Sequence, residues 1–153
     1  MIKWTKDTLE ASGYKVENCK ITDADLMVEQ DRLQGIRFSL IIEGESGGCI
    51  AFGGYKLGHM EFNEDPRSFT SDERSMVFIM NIFNLTGATR LSELPGKYIR
   101  AAYKGNIFAG IVGNIVSDKW FDFDSFWNEF EKDKIEYEEE CRRTLNYEED
   151  EDE

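Results

Sequence analysis

Three features of the chain predict an α+β fold: an antiparallel β-meander sheet of about five strands, with one helix after the third strand and another at the C-terminus. In Ile36-Arg37-Phe38-Ser39-Leu40-Ile41-Ile42-Glu43 every even position is apolar, the alternation of a strand with one buried face. Met76, Ile79, Met80 and Phe83 recur at helical spacing behind Thr70-Ser71-Asp72-Glu73, which has the form of a capping box, and Gly87 ends the run. Glycine turns at Gly44-Glu45-Ser46-Gly47 and Lys104-Gly105-Asn106 join strand-like segments as hairpins.

The remaining elements are taken in chain order. Thr5 to Ala11 reads as a short helix that Thr5 can cap and Gly13 can end. Val16 to Val28 reads as a strand, followed by a polar turn at Glu29-Gln30-Asp31-Arg32. The segment Gly47-Gly48-Cys49-Ile50-Ala51-Phe52-Gly53-Gly54-Tyr55 reads as a strand running to about Leu57. Its glycines weaken it as a strand, which suggests another backbone or a ligand close against it. His59 to Phe69 is a polar loop punctuated by Pro66, and Leu91 to Gly96 is a connector with a Pro95-Gly96 turn. Lys97 to Tyr103 and Ile107 to Val116 supply the last two strands. After Asp118-Lys119-Trp120-Phe121 a helix begins with the stripe Phe123, Phe126, Trp127 and Phe130, continued more weakly by Tyr137, Cys141 and Leu145. Residues 1–130 form one α+β domain with a helical extension at 1–13, and 131–153 form an acidic C-terminal helix or tail.

At 153 residues, with 41% hydrophobic and 13% aromatic content, the chain suits one globular domain. No apolar run approaches the ~20 residues of a membrane span, and the segment after Met1 has no apolar core of a signal peptide. Cys19, Cys49 and Cys141 are odd in number and lack a C-x-x-C pair, which suits a reducing cytoplasm and not a zinc site. The net charge is −13, of which residues 131–153 carry −8, with twelve acidic and four basic side chains. Such a run reads as a solvating, disordered end or as a nucleic-acid mimic. Neither duplex DNA nor a membrane is an expected partner.

The patterns of catalysis are missing. His59 is the one histidine, so a nucleophile–His–acid triad would have to use a residue in a glycine-flanked loop. There is no Walker loop, and Gly53-Gly54-Tyr55-Lys56-Leu57-Gly58 lacks both the spacing and the βαβ setting of a dinucleotide fingerprint. Paired acids of a hydrolase are not distinguishable from a solvated face among 31 carboxylates. The chain therefore reads as a binding protein, not an enzyme, and no cofactor is implied.

Four places combine cations, aromatics and backbone donors. The first is Phe52-Gly53-Gly54-Tyr55-Lys56, where Phe52 and Tyr55 offer flat faces beside bare backbone. The second is Arg67 with Arg74, flanking a helix start. Arg74 either completes an anion site there or pairs with Asp72, Glu73 or another acid. The third is Leu94-Pro95-Gly96-Lys97-Tyr98-Ile99-Arg100, whose alternation puts Tyr98 and Arg100 on one face. They either grip a phosphate and line a base pocket or stack across strands. The fourth is Asn114 with Asp118-Lys119-Trp120-Phe121: Asn114 is a buried satisfied amide or a base-reading group, and Trp120 a core residue or a stacking platform.

The order of Phe52-Gly53-Gly54-Tyr55-x-Leu57, a helix, Leu94-Pro95-Gly96-Lys97-Tyr98-Ile99-Arg100 and Ile115-x-x-Asp118-Lys119-Trp120-Phe121 resembles small phage-encoded anti-defence proteins of the first Thoeris type and their relatives, over roughly Tyr14 to Phe126. The resemblance implies a homo-oligomer in the cytoplasm of the infected bacterial host. Such a protein sequesters cyclic ADP-ribose-type signals, or cyclic oligonucleotides, without cleaving them. Carried to this chain, it implies contacts from Met27, Glu29 and Asp31 of a neighbouring subunit, a phosphate grip by Arg74, and pocket walls from Tyr98, Arg100 and Asn114. Two rival classes stand beside it. One is an acidic protein-binding inhibitor that mimics nucleic acid toward a host nuclease or CRISPR effector; the other is a cyclic-nucleotide hydrolase acting through paired acids.

Overall fold

The computed structural model of the chain describes residues 3–30, 34–61 and 65–151. Its centre is the long strand β1 (Lys15–Gln30), from which two antiparallel meanders grow in opposite directions. On one side lie β2 (Gln34–Gly44), β3 (Cys49–Met60) and β4 (Phe69–Ser71). On the other lie β5 (Tyr98–Lys104), β6 (Ile107–Asn114) and β7 (Trp120–Asp122). The sheet order is therefore β4-β3-β2-β1-β5-β6-β7, with every pairing antiparallel. Seven strands replace the expected five because β4 and β7 are three-residue edge strands, too short to show an alternation in sequence.

Helix α2 (Glu73–Thr86) carries the chain from the β4 edge back to β5, crossing one sheet face. Helix α3 (Phe123–Glu151) packs on the same face, and the short α1 (Lys6–Ala11) covers part of the other. Thr5 caps α1 as predicted, through a reciprocal box with Thr8. At the start of α2 the expected box is absent: Thr70 and Ser71 belong to β4, and Asp72 is the cap, its carboxylate accepting from the Arg74 N–H. Gly87 ends α2 in the left-handed region at φ 75°, as its position predicts.

The main core joins the inner faces of β1, β2, β3, β5 and β6 to α2 and α3. The alternation predicted in β2 holds, with Phe38, Leu40 and Ile42 buried. The predicted stripe of α2 holds for Ile79 and Phe83, which pack half-buried against the core, and fails for Met76 and Met80. Ser75, Phe78, Ile82 and Leu85 are buried, whereas Met76 and Met80 are 48% and 55% exposed. The helix is turned by about one residue, because Phe78 enters a gap over Gly53 that no other residue type would leave. A Cβ on Gly53 would lie 3.1 Å from both the Phe78 ring and the Phe38 carbonyl oxygen, and Gly53 adopts φ +98°.

Three further expectations meet the structure. His59 lies in β3 opposite Thr70 and not in a loop, because β3 runs on to Met60. Gly58 permits this pairing, since a Cβ there would strike the Phe69 ring and come within 2.6 Å of the Thr70 oxygen. Of the readings open for the acidic run, the structure gives the helix, which continues from Phe123 to Glu151 with residues 135–146 exposed throughout, and not a disordered end. Glu29 and Gln30 of the predicted turn belong to β1, while Asp31 and Arg32 lie outside the described residues.

The rotation of α2 is tested by two truncations. Phe78→Ala is expected to lower stability by about 3–5 kcal/mol, the range for a buried aromatic, while Met76→Ala changes it by less than about 0.5 kcal/mol. Urea unfolding followed by circular dichroism reads both values.

Candidate functional site

The described residues place the predicted site groups in two clusters at opposite ends of α2. The first begins where β3, β4 and the first turn of α2 meet. The Asp72 N–H donates to the Leu57 oxygen at 2.7 Å, and Ser75 Oγ donates to the Lys56 oxygen at 2.7 Å, so the helix start is pinned to β3. Arg74 turns back on its own cap, with Nε 3.2 Å from Asp72 Oδ1 and Nη2 3.1 Å from Oδ2. Its guanidinium also lies 4.0 Å from the centre of the Trp127 ring of α3 and 5.9 Å from that of Phe130. Burial pushes the Asp72 carboxyl up, but the bonds from the Arg74 side chain and backbone outweigh it and hold the group below the ordinary carboxylate range.

A groove of about 530 Å³ opens beside this pair, lined by Lys56, His59, Thr70, Ser71, Arg74 and Phe130, with Asp72, Glu73 and Gly58 completing its walls. Behind it a charge cluster crosses three strands. Arg37 Nη2 is 2.7 Å from Glu29 Oε1, and Lys56 Nζ is 4.0 Å from Glu29 Oε2. Gly35 lies between them on β2, where a Cβ would stand 3.3 Å from the Gly58 carbonyl oxygen and in ordinary contact with the Lys56 side chain at 3.6 Å. Glu29 Oε2 and Arg37 Nε are buried without hydrogen-bond partners. Met27, opposite Arg37, is 41% exposed.

The second cluster holds the loop between β6 and β7. Arg100, 8% exposed, donates from Nε to the Asn114 oxygen and from Nη2 to the Ser117 oxygen, both at 2.7 Å. It also lies 3.8 Å from Asp118 and 4.8 Å from the Trp120 ring centre. Asn114 Nδ2 donates to the Leu85 oxygen at 2.8 Å, while its Oδ1 accepts from Val116 N and Ser117 N, both at 2.9 Å. Of the alternatives open in the sequence, Asn114 is thus the satisfied amide, and Arg100 spends its donors inside the protomer. Tyr98, two residues away on the same strand face, is 51% exposed.

The two clusters do not meet within one copy. Arg74 and Leu85 are eleven residues apart on one helix, about 16 Å at 1.5 Å per residue. Phe52 joins neither. It is 5% exposed, edge-on to Phe78 and Phe108 at 5.1 and 5.0 Å, so its flat faces serve the core. Tyr55 pairs with Phe38 along the β3 backbone, and its side chain lies outside the described residues. Of the β3 glycines, Gly53 answers to the Phe78 ring and the Phe38 carbonyl, and Gly58 to the Phe69 ring and the Thr70 carbonyl.

Sequence reasoning missed His59, Thr70, Ser71 and Phe130 of the groove wall, and with them Trp127 and Arg37. Trp127 was visible only as part of a docking stripe, yet it carries the Arg74 guanidinium. Arg37 carried no signal beyond its outward position in an alternating strand. Among the described residues no group of three His, Cys, Asp or Glu side chains is placed to hold a metal ion, and no helix is long and apolar enough to cross a membrane. Comparison of the chain with protein-family models, with curated proteins and with solved structures finds no match.

The Asp72–Arg74 pair has a pH signature. A carboxyl held below its ordinary value contributes stability that is present above about pH 4 and lost as pH falls through the lower folded value. Asp72→Asn is expected to cost about 1–2 kcal/mol at pH 7, with a smaller difference from the parent chain at pH 3. Urea titrations at the two pH values measure this, and an equal deficit at both would contradict the ion pair.

Proposed function

We propose that the protein is a phage-type anti-defence protein, a homo-oligomer that sequesters a cyclic nucleotide immune signal in the host cytoplasm without cleaving it. The observation that carries the reading is the groove at the start of α2, where Lys56, His59 and Arg74 stand beside the Phe130 ring and the Thr70 and Ser71 hydroxyls. Its volume of about 530 Å³ falls within the roughly 300–1,000 Å³ of small-molecule sites. Guanidinium and ammonium groups suit phosphate, hydroxyls suit ribose, and an aromatic wall suits a base.

Arg74 is already ordered by Asp72 and Trp127, so little side-chain entropy is spent when a phosphate replaces or joins the carboxylate. The separation of Arg74 from Tyr98, Arg100 and Asn114 favours a pocket built between copies. There the exposed Met27 and Tyr98 of one protomer would approach the groove of the next. This arrangement agrees with the sequence resemblance, in which neighbouring subunits share the ligand.

A second reading has one observation in its favour. The exposed half of α3 presents Tyr137 and Leu145, 69% and 60% exposed, amid a run of acids, a surface suited to a protein whose partner is normally nucleic acid. The two readings separate on a chain ending at Phe130.

Isothermal titration with cyclic ADP-ribose isomers and with cyclic di- and trinucleotides tests the proposal. At least one is expected to bind, to be recovered intact, and to bind the shortened chain equally well. Lys56→Ala and Arg74→Ala are each expected to weaken binding about tenfold or more. Absence of heat across the panel, or recovery of cleaved ligand, would overturn the reading.

A further inference from the structure

A second cavity, of about 460 Å³, lies where the residues leading into α1, the middle of α2 and the segment entering β7 come together. It shares no lining residue with the groove at the start of α2, and its chemistry is independent of the function proposed for that groove. Its walls are two indoles, two carboxamides and two ammonium groups, from Trp4, Trp120, Asn81, Asn84, Lys3 and Lys119, with Leu85 and one carboxylate, Asp118, which already accepts from the Lys6 N–H and the Trp120 indole.

What each group can offer is set by the bonds it already makes. Trp4 Nε1 donates to Asp122 Oδ2 at 2.9 Å, and Trp120 Nε1 donates to Asp118 Oδ1 at 3.3 Å. Both indole N–H groups are thus engaged, and the rings present the cavity with carbon surface alone. Trp120 is further fixed by Arg100 and by Gly113, where a Cβ would come within 2.5 Å of its ring, so the platform is rigid. Asn81 Nδ2 donates to the Val77 oxygen at 2.9 Å, which leaves Oδ1 as an acceptor. Among the described residues no hydrogen bond claims the Asn84 amide, which keeps one donor side and one acceptor side. Three residues apart on one helix, the two Cβ atoms stand about 5–6 Å from each other.

These inventories select a ligand. A carboxamide pairs bidentately with adjacent amine and ring-nitrogen atoms, as Asn does with adenine. The acceptor on Asn81 suits the second proton of the same exocyclic amine, and with Asn84 Nδ2 donating to the ring nitrogen a carbonyl at that position would face Asn84 Oδ1, acceptor against acceptor. Flat carbon surface suits a purine face, and the two lysines suit a phosphate. We infer that this cavity is a binding site for an adenine nucleotide, its base on Trp4 and Trp120, its amine read by Asn81 and Asn84, and its phosphate met by Lys3 and Lys119.

Titration of the full chain with adenosine monophosphate and inosine monophosphate, followed calorimetrically and by tryptophan emission, tests the site. The inosine compound replaces the exocyclic amine with a carbonyl. Adenosine monophosphate is expected to bind, and inosine monophosphate to bind at least about tenfold more weakly. Asn84→Leu and Asn84→Asp are both expected to abolish the preference. Asn84 is exposed on a helix, so a thermal melt should show both variants folded. Lys56→Ala, in the other groove, is expected to leave adenosine monophosphate binding unchanged. No binding of adenosine monophosphate, equal binding of the two nucleotides, a preference that survives in the folded Asn84 variants, or loss of binding in Lys56→Ala would each overturn the inference.

Discussion

The seating of Phe78 over Gly53 is the contact on which the rest of the molecule depends. The Phe78 ring stands 4.7 Å from that of Phe123, 5.1 Å from Phe52 and 5.9 Å from Phe38, so one side chain ties α2 to β2, β3 and α3. It also fixes the rotation of α2 about its axis. With Phe78 inward, Ser75 reaches the β3 backbone, Arg74 faces the aromatic side of α3, and Asn81 and Asn84 line the cavity at the other end. A helix turned by one residue, about 100°, would bury Met76 and Met80 and remove both sites.

Each end of α2 is then secured by an arginine lying on a tryptophan. At the start, Arg74 rests on Trp127 and pairs with Asp72; near the end, Arg100 rests on Trp120 and gathers the carbonyls of Asn114 and Ser117. The two guanidiniums differ in what holds them. Arg100 is 8% exposed and bonded to neutral carbonyls and a more distant carboxylate, so its charge is held by geometry that a ligand would have to dismantle. Arg74 keeps a partly exposed side chain in an open groove, against a carboxylate that a phosphate can rival. This difference, and not residue type, separates the arginine that builds from the arginine that can bind.

Much of the fold was legible because its signals are local. Alternation in Ile36–Ile42, the turn glycines and Gly87 each depend on a few adjacent residues, and the structure places elements where they point. The rotation of α2 was not legible, because Met76, Phe78, Ile79, Met80, Ile82, Phe83 and Leu85 clothe most of the helix in apolar surface. Which stripe turns inward is decided by Gly53, more than twenty residues away. The roles of Arg100 and Asn114 were hidden for a related reason. Sequence can bring a guanidinium and an amide near a strand end, but only the path of residues 115–119 shows that backbone carbonyls and N–H groups consume them.

The acidity of the chain bears less on anion binding than its net charge suggests, and the helicity of the tail is the reason. The described acids Glu138, Glu139 and Glu140 come eight to ten helical residues after Phe130, about 12–15 Å along the axis at 1.5 Å per residue. The Debye length at physiological ionic strength is about 8 Å, so charge at those positions is screened from the groove that Phe130 borders. An irregular tail could fold back over the groove; a helix carries its charge away from it. The field at the groove is instead set by Lys56, Arg74 and the Arg37 behind them against Asp72, Glu73 and Glu29, a nearly balanced set in which one phosphate is not repelled. The long acidic helix therefore slows approach at low salt while leaving the local balance of charge to decide affinity.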